Sequence, residues 1–66
     1  MAINKVTLPV ARKIVGMTQS TLAEICGVSV YTVGNWESGK TEPTISQAYK
    51  IADAVGRHIN EIKFLP

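Results

Sequence analysis

The sequence is poor in the residues that catalysis and metal binding require. Its 66 residues include one cysteine, one histidine and five acidic residues. A single cysteine excludes an internal disulfide and cannot supply the cysteine pair of a typical zinc site. No nucleophile, general base or glycine-rich phosphate loop forms an interpretable arrangement. We therefore expect no enzymatic activity, no cofactor and no bound metal, and we interpret Cys26 as a small core residue.

Long apolar runs are also absent from the sequence. No stretch approaches the roughly 20 apolar residues of a membrane span, and the N-terminus lacks the hydrophobic segment of a secretory signal. These absences predict a cytoplasmic protein with no membrane partner. The net charge of +2 permits nucleic-acid binding without requiring it.

The chain is nevertheless rich in hydrophobic residues for its length. A hydrophobic content of 45% is typical of a small helical bundle with one core, so we expect a single domain over residues 1–66. A core of this size stabilises the fold only marginally, and we expect dimerisation or ligand binding to add to that stability.

The most informative stretch covers residues 18–40. Thr18 and Ser29 are both good N-cap residues, and Gly27 can adopt the left-handed conformation that ends a helix. Hydrophobic residues follow each cap at helical spacing: Leu22, Ile25 and Cys26 in the first helix, then Val30, Val33 and Trp36 in the second. This pattern predicts two short helices that cross steeply, with the small side chain of Ala23 inside the crossing.

The same stretch resembles the helix-turn-helix of the Cro and phage-repressor (Xre) family of DNA-binding regulators. The resemblance is carried by Gln19, Ala23, Gly27, Val33, Trp36 and the closing sequence WESGK, and it extends weakly from about residue 8 to residue 62. It implies an all-α, five-helix, lambda-repressor-like DNA-binding domain with the helix-turn-helix at its centre. It also implies that Arg12 in the first helix forms a partly buried ion pair with Glu37.

Two further helices are predicted on either side of this stretch. The first begins after Thr7, carries Pro9 in its first turn and ends at Gly16. The other follows Thr44, which forms a capping-box pattern with Gln47. Their predicted buried positions are Leu8, Ala11 and Val15 in the first, and Ile45, Ala48, Ile51, Ala52 and Val55 in the other.

The two ends of the chain leave alternatives open. Residues 1–6 form either a mobile terminus or an extended segment that pairs with the end of the chain, giving a short terminal strand pairing. We expect a fifth helical turn over residues 59–63. The hydrophobic residues Ile62, Phe64 and Leu65 exceed what so small a bundle needs, so they are candidates for a dimer contact or for a protein partner.

The second helix of the motif is the predicted reading helix, because the major groove of double-stranded DNA admits one helix. With Val28, Val33 and Trp36 turned inward, the predicted base contacts are Val30, Tyr31, Gly34 and Asn35. Asn35 is the strongest candidate, since its amide can both donate and accept at adenine N6 and N7. Gly34 serves either close approach to the DNA or no purpose beyond being tolerated.

Backbone phosphates are assigned to a second set of residues. Gln19 begins the first motif helix, where its amide and the unpaired helix-end N–H groups can bind a phosphate; the alternative is a simple surface amide. By the resemblance, Thr32, Lys40 and Thr41 hold phosphates on the other side of the reading helix.

These residues favour a sequence-specific transcriptional regulator of bacterial or phage origin. We expect it to bind double-stranded DNA as a homodimer on a palindromic operator, with half-sites about 34 Å apart. The alternative from another class is a protein-interaction module, such as an antitoxin or an antirepressor.

Overall fold

The computed structural model describes residues 5–64, which form four α-helices, one 3₁₀ helix and two short strands. In chain order these elements are β1 (Val6–Thr7), α1 (Leu8–Ile14), α2 (Gln19–Cys26), α3 (Val30–Ser38), α4 (Ile45–Val55), the 3₁₀ helix (Ile59–Glu61) and β2 (Ile62–Lys63). The fold is therefore mostly helical, with a short strand pair. None of the helices within residues 5–64 has the length and apolarity needed to cross a membrane.

The helix boundaries in the middle of the chain follow from local capping chemistry, as predicted. The hydroxyl of Thr18 accepts a hydrogen bond from the Thr21 amide at 3.1 Å, and Ser29 accepts one from the Thr32 amide at 3.2 Å. Thr44 starts α4 with the predicted capping box, in which the Gln47 side chain accepts from the Thr44 amide at 2.8 Å. Each cap satisfies an amide that has no partner inside its helix.

The first helix differs from its prediction at both ends. Thr7 occupies the N-cap position, but its side chain makes no capping hydrogen bond. Its backbone is extended and belongs to β1, and Pro9 in the first turn has no amide hydrogen to satisfy. Because α1 ends at Ile14, Val15 leaves the buried face, and the prediction that Val15 is buried with Leu8 and Ala11 was wrong.

One cluster of buried residues joins all four α-helices and β2. Its members are Leu8, Ala11, Leu22, Ala23, Cys26, Val33, Trp36, Ile51, Ala52, Val55 and Ile62. Ala48 is buried as predicted but is not part of this cluster, and two further hydrophobic residues at core spacing are exposed. Ile25 is half exposed because it sits at the edge of the face formed by Leu22 and Cys26, and Ile45 is 77% exposed because it begins α4 before the helix reaches the core.

The chain ends meet in a parallel pairing, with Val6 opposite Ile62 and Thr7 opposite Lys63. This confirms the terminal pairing, rather than the mobile terminus, for the described part of the N-terminal segment. The predicted fifth helical turn is a short 3₁₀ helix, after which Ile62 is already extended, so the count of five helices is not reached within residues 5–64.

The C-terminal hydrophobic residues play different parts. Ile62 is 3% exposed and belongs to the core, and Phe64 packs against the core while staying partly exposed. Leu65, the third predicted partner residue, lies outside the described residues. Ile62 is therefore unavailable as a surface for another molecule.

Candidate nucleic-acid interface

A short turn joins α2 to α3, and a backbone hydrogen bond to the last turn of α2 closes it. Gly27 adopts the left-handed conformation at φ 71°, and the Val28 amide donates to the Ala23 carbonyl at 3.0 Å. Ala23 is buried, and Val28 packs against the core. This arrangement ends α2, turns the chain and lets α3 begin at once after the Ser29 cap.

A buried ionic network holds the pair against α1. The Arg12 Nε donates to Glu37 Oε2 at 2.7 Å and its Nη2 donates to Oε1 at 3.2 Å, so the ion pair expected from the resemblance is present. The two side chains are only 10% and 8% exposed. Arg12 Nη1 also donates to the Met17 carbonyl at 2.8 Å. A two-pronged, shielded contact of this kind fixes orientation as well as contributing energy.

Gln19 belongs to the same network. Its Nε2 donates to Glu37 Oε1 at 2.9 Å, so its amide is held at the start of α2 rather than free in solvent. The backbone amides of Gln19 and Ser20 precede the first intrahelical donor of α2 and point from the helix end. The predicted phosphate contact at Gln19 stays a prediction, now with a side chain of defined position.

The four predicted base-contact residues lie on the outward side of α3. Tyr31 is 68% exposed and Val30 is 47% exposed, while Gly34 and Asn35 are partly exposed. Val33 and Trp36 are buried on the opposite side. No hydrogen bond among residues 5–64 occupies the side-chain amide of Asn35. The backbone carbonyl of Asn35 accepts from the Lys40 backbone amide at 2.9 Å.

Gly34 is not required by the packing of this chain. A Cβ added at Gly34 would meet nothing within 4 Å, and its φ lies outside the left-handed region. The fold would therefore accept alanine there. If Gly34 serves close approach, the group that approaches it is therefore not part of residues 5–64.

The other three predicted phosphate contacts lie near the two ends of α3. Thr32 shares a hydrogen bond with the Ser29 hydroxyl at 3.1 Å, near the helix start. Lys40 and Thr41 are exposed directly after α3, and both of their amides donate to the Asn35 carbonyl. Their backbone is thus anchored to the end of the reading helix while their side chains remain in solvent.

Lys13 was not among the predicted contacts, and the structure adds it as a candidate. Lys13 is exposed and lines a groove together with Gln19, Ser20 and Val30, which joins the start of α2 to the start of α3. The available signal was a basic side chain in the last turn of α1, shortly before α2 begins. Two findings concern other kinds of chemistry. Burial raises the pKa of the Cys26 thiol. No cluster of side chains that could hold a metal ion occurs within residues 5–64.

Comparisons with known proteins assign most of the chain to a known family. Residues 10–62 match the helix-turn-helix family profile. The chain is 44% identical over 55 residues to an "uncharacterized HTH-type transcriptional regulator" of Methanothermobacter thermautotrophicus, covering 82% of this chain and 80% of that protein. No solved structure matches the chain significantly.

A second relative is the "cryptic phage CTXphi transcriptional repressor RstR" of Vibrio cholerae, 37% identical over 51 residues. That match covers 77% of this chain but only 46% of the repressor. The family profile spans most of the sequence, and its matched region contains the α2–α3 pair, the buried ion pair and the exposed side of α3. The chain belongs to the helix-turn-helix family of Cro and phage-repressor (Xre) transcriptional regulators.

Proposed function

We propose that this chain is a sequence-specific repressor that inserts α3 into the major groove of double-stranded DNA and acts as a dimer on a palindromic operator. The observation that carries the proposal is the division of α3. Its inner side is buried and ion-paired through Glu37, while the side chains of Val30, Tyr31 and Asn35 point away from the core and remain accessible. The function is binding alone, without catalysis.

Direct reading of bases falls to the outward residues of α3. The Asn35 side chain can donate to adenine N7 through its NH₂ group and accept from adenine N6 through its oxygen, the bidentate pair typical of asparagine. Val30 and Tyr31 stand at the start of the helix, where apolar atoms can contact a thymine methyl and the phenol can reach a base or phosphate. Gly34 leaves space for the groove floor.

Positioning falls to groups at the two ends of the motif. At the start of α2, the Gln19 amide and the helix-end N–H groups form a phosphate site, with Lys13 adding positive charge. Beyond the end of α3, Lys40 and Thr41 bind a phosphate on the far side of the groove, and Thr32 contributes from the flank of the helix. These contacts set the register without reading sequence.

A dimer follows from the small number of polar groups on the reading side. One or two direct contacts, each worth about 1–3 kcal/mol, discriminate poorly against the non-specific sites of a genome. Two copies double those contacts and require half-sites about 34 Å apart. DNA shape supplies further selectivity at positions that no side chain touches.

Selection of bound sequences from random double-stranded DNA tests the whole proposal. We expect an enriched inverted repeat whose half-sites are separated by about one helical turn. The selected duplex should bind more tightly than a duplex carrying one half-site. Failure to enrich any sequence, or equal affinity for one and two half-sites, contradicts the proposal.

A second candidate function is a protein-interaction module of the antitoxin or antirepressor type. It is favoured by the partly exposed Phe64 at the end of the chain. Truncation of the last five residues is an unsuitable test, because it removes the core residue Ile62. Phe64→Ser separates the two functions, because a regulator carrying it keeps binding to a DNA duplex with one half-site and a module carrying it loses its protein partner.

A further inference from the structure

A groove with apolar and charged walls lies between the start of α4 and the strand pair. Glu42, Pro43 and Ile45 contribute to one wall, from the α3–α4 loop and the first turn of α4. The other wall includes Lys5, Lys63 and Phe64, from the strand pair and the residues that flank it. The proposed DNA-binding surface uses none of these residues, so the groove has no role yet.

The apolar part of this groove is unusually open. Ile45 is the most exposed large hydrophobic residue of the described chain. It lies outside the core, so the fold itself gains little from having isoleucine at this position. Phe64 extends the same apolar surface from the opposite wall. An apolar patch bordered by charged residues is typical of a protein contact surface.

The charged part of the groove is self-complementary. Glu42 stands on one wall, and Lys5 and Lys63 stand on the other. Within residues 5–64 the ion pair of Arg12 and Glu37 is the only one within 4.0 Å, so these groove charges are not paired with each other. A two-fold axis through the groove would place the acidic wall of one copy against the basic wall of the other.

We propose that this groove is the contact surface for a second copy of this chain, with Ile45 at its centre and Glu42 of each copy facing Lys63 of the other. This inference rests on the dimer of the proposed function and specifies the surface that forms it. An isologous interface needs one patch that complements itself, and this groove carries both signs of charge beside an apolar centre.

The position of the groove suits the proposed operator. Lys40 and Thr41, two of the proposed phosphate contacts, directly precede Glu42. A two-fold axis through the groove would therefore pass near the ends of both reading helices.

Sedimentation equilibrium of the full chain, without DNA, tests the surface through Ile45→Glu. An acidic residue is favourable in the first turn of a helix, so this variant should fold, which circular dichroism can verify. We expect its dimer dissociation constant to rise at least about tenfold, as for a central interface residue. The matched control, Ile25→Glu, changes another exposed isoleucine outside the groove and should dimerise within about twofold of the parent.

Charge reversal gives an independent test. Glu42→Lys and Lys63→Glu should each weaken self-association, because each places like charges across the axis. An equimolar mixture of the two variants should restore dimers, because both contacts then join opposite charges between chains. Contacts within one chain cannot produce this recovery. A parent chain that stays monomeric, equal behaviour of the two isoleucine variants, or no recovery on mixing overturns the proposal.

Binding to a duplex with one selected half-site separates this proposal from the proposed function. Ile45→Glu should bind that single site as the parent does and lose only the gain from the second half-site. Loss of its single-site binding would place Ile45 in the DNA surface and overturn the dimer assignment. A parent that dimerises through the groove but binds no DNA would refute the proposed function alone.

Discussion

The two sides of α3 differ in how many packing contacts and hydrogen bonds their side chains make within the chain. On the inner side, Val33 and Trp36 are buried, and Glu37 accepts hydrogen bonds from Arg12 and Gln19. On the outer side, Tyr31 and the Asn35 amide extend into solvent. The inner side builds and orients the helix, while the outer side can vary in chemistry without changing the fold.

This division predicts that substitutions on the inner side reduce stability, whereas those on the outer side change binding without reducing stability. The predictions below test that separation, beginning with the largest expected effect.

Glu37→Ala should cause the largest loss of stability. It leaves the Arg12 guanidinium shielded from solvent with only the Met17 carbonyl as partner and releases Gln19. Removing one partner of a buried pair costs about 3–5 kcal/mol, a large share of the 5–15 kcal/mol that stabilises a typical small domain. Urea denaturation measures this loss of stability. The control Glu24→Ala removes an exposed carboxylate and should change the free energy of unfolding by less than about 0.5 kcal/mol. Equal midpoints for both variants would show that the network does not support the motif.

Asn35→Ala should leave the fold intact and weaken specific binding. Loss of a bidentate base contact costs about 1–3 kcal/mol at the affected position, and the preference at that base pair should relax. Fluorescence anisotropy with the selected operator and its single-base variants measures both effects.

Lys40→Ala is the matched comparison for Asn35→Ala. It should weaken binding to all sequences alike and reduce the salt dependence by about one phosphate contact. If Asn35→Ala also weakened all sequences equally, Asn35 would be a positioning residue rather than a base reader.

Gly34→Ala should make the protein more stable, in contrast to the usual effect of mutation. Its new Cβ meets nothing within 4 Å, and alanine favours a helix interior by about 1 kcal/mol over glycine. Thermal unfolding measures the gain. Binding to the selected operator then decides the role of Gly34: weaker binding indicates close approach of α3 to the groove floor, and unchanged binding indicates a tolerated glycine. A decrease in stability would contradict the open surroundings of Gly34.

The smallest effect is expected from Cys26 on the buried side. Burial raises the pKa of its thiol, so the unfolded chain loses this proton at lower pH than the folded chain does. The contribution of Cys26 to stability should therefore be constant at neutral pH and fall as the pH rises above about 8.5, the pKa of a free cysteine. Measuring the free energy of unfolding of the parent and of Cys26→Ala at several pH values isolates the contribution of the Cys26 thiol. Parallel pH profiles for the two proteins would show that Cys26 contributes nothing to the pH dependence.

Local signals predicted the middle of the fold well. The caps at Thr18, Ser29 and Thr44 were predictable because each depends on a hydroxyl and an amide only three residues apart. The Arg12–Glu37 pair joins residues 25 positions apart, and only the resemblance to a known family indicated it. The outward positions of α3 followed from assigning its hydrophobic residues to the core.

Predictions failed where an element met the boundary of the core. Ile45 follows the hydrophobic spacing of α4, yet its burial depended on whether the core extends to the first helical residue. Val15 likewise depended on where α1 stops. The Gln19–Glu37 hydrogen bond escaped prediction because the sequence does not specify which of several polar groups approaches a given carboxylate.

By itself, the sequence determined the helix boundaries of the motif and the exposed side of α3, because capping and hydrophobic spacing act over a few residues. Only the tertiary structure decided which hydrophobic residues the core covers, that Gln19 joins the Arg12–Glu37 pair, and that Glu42 and Lys63 line one groove. Burial and long-range contacts depend on where whole elements cross and end, and that positioning arises only when the packed core forms.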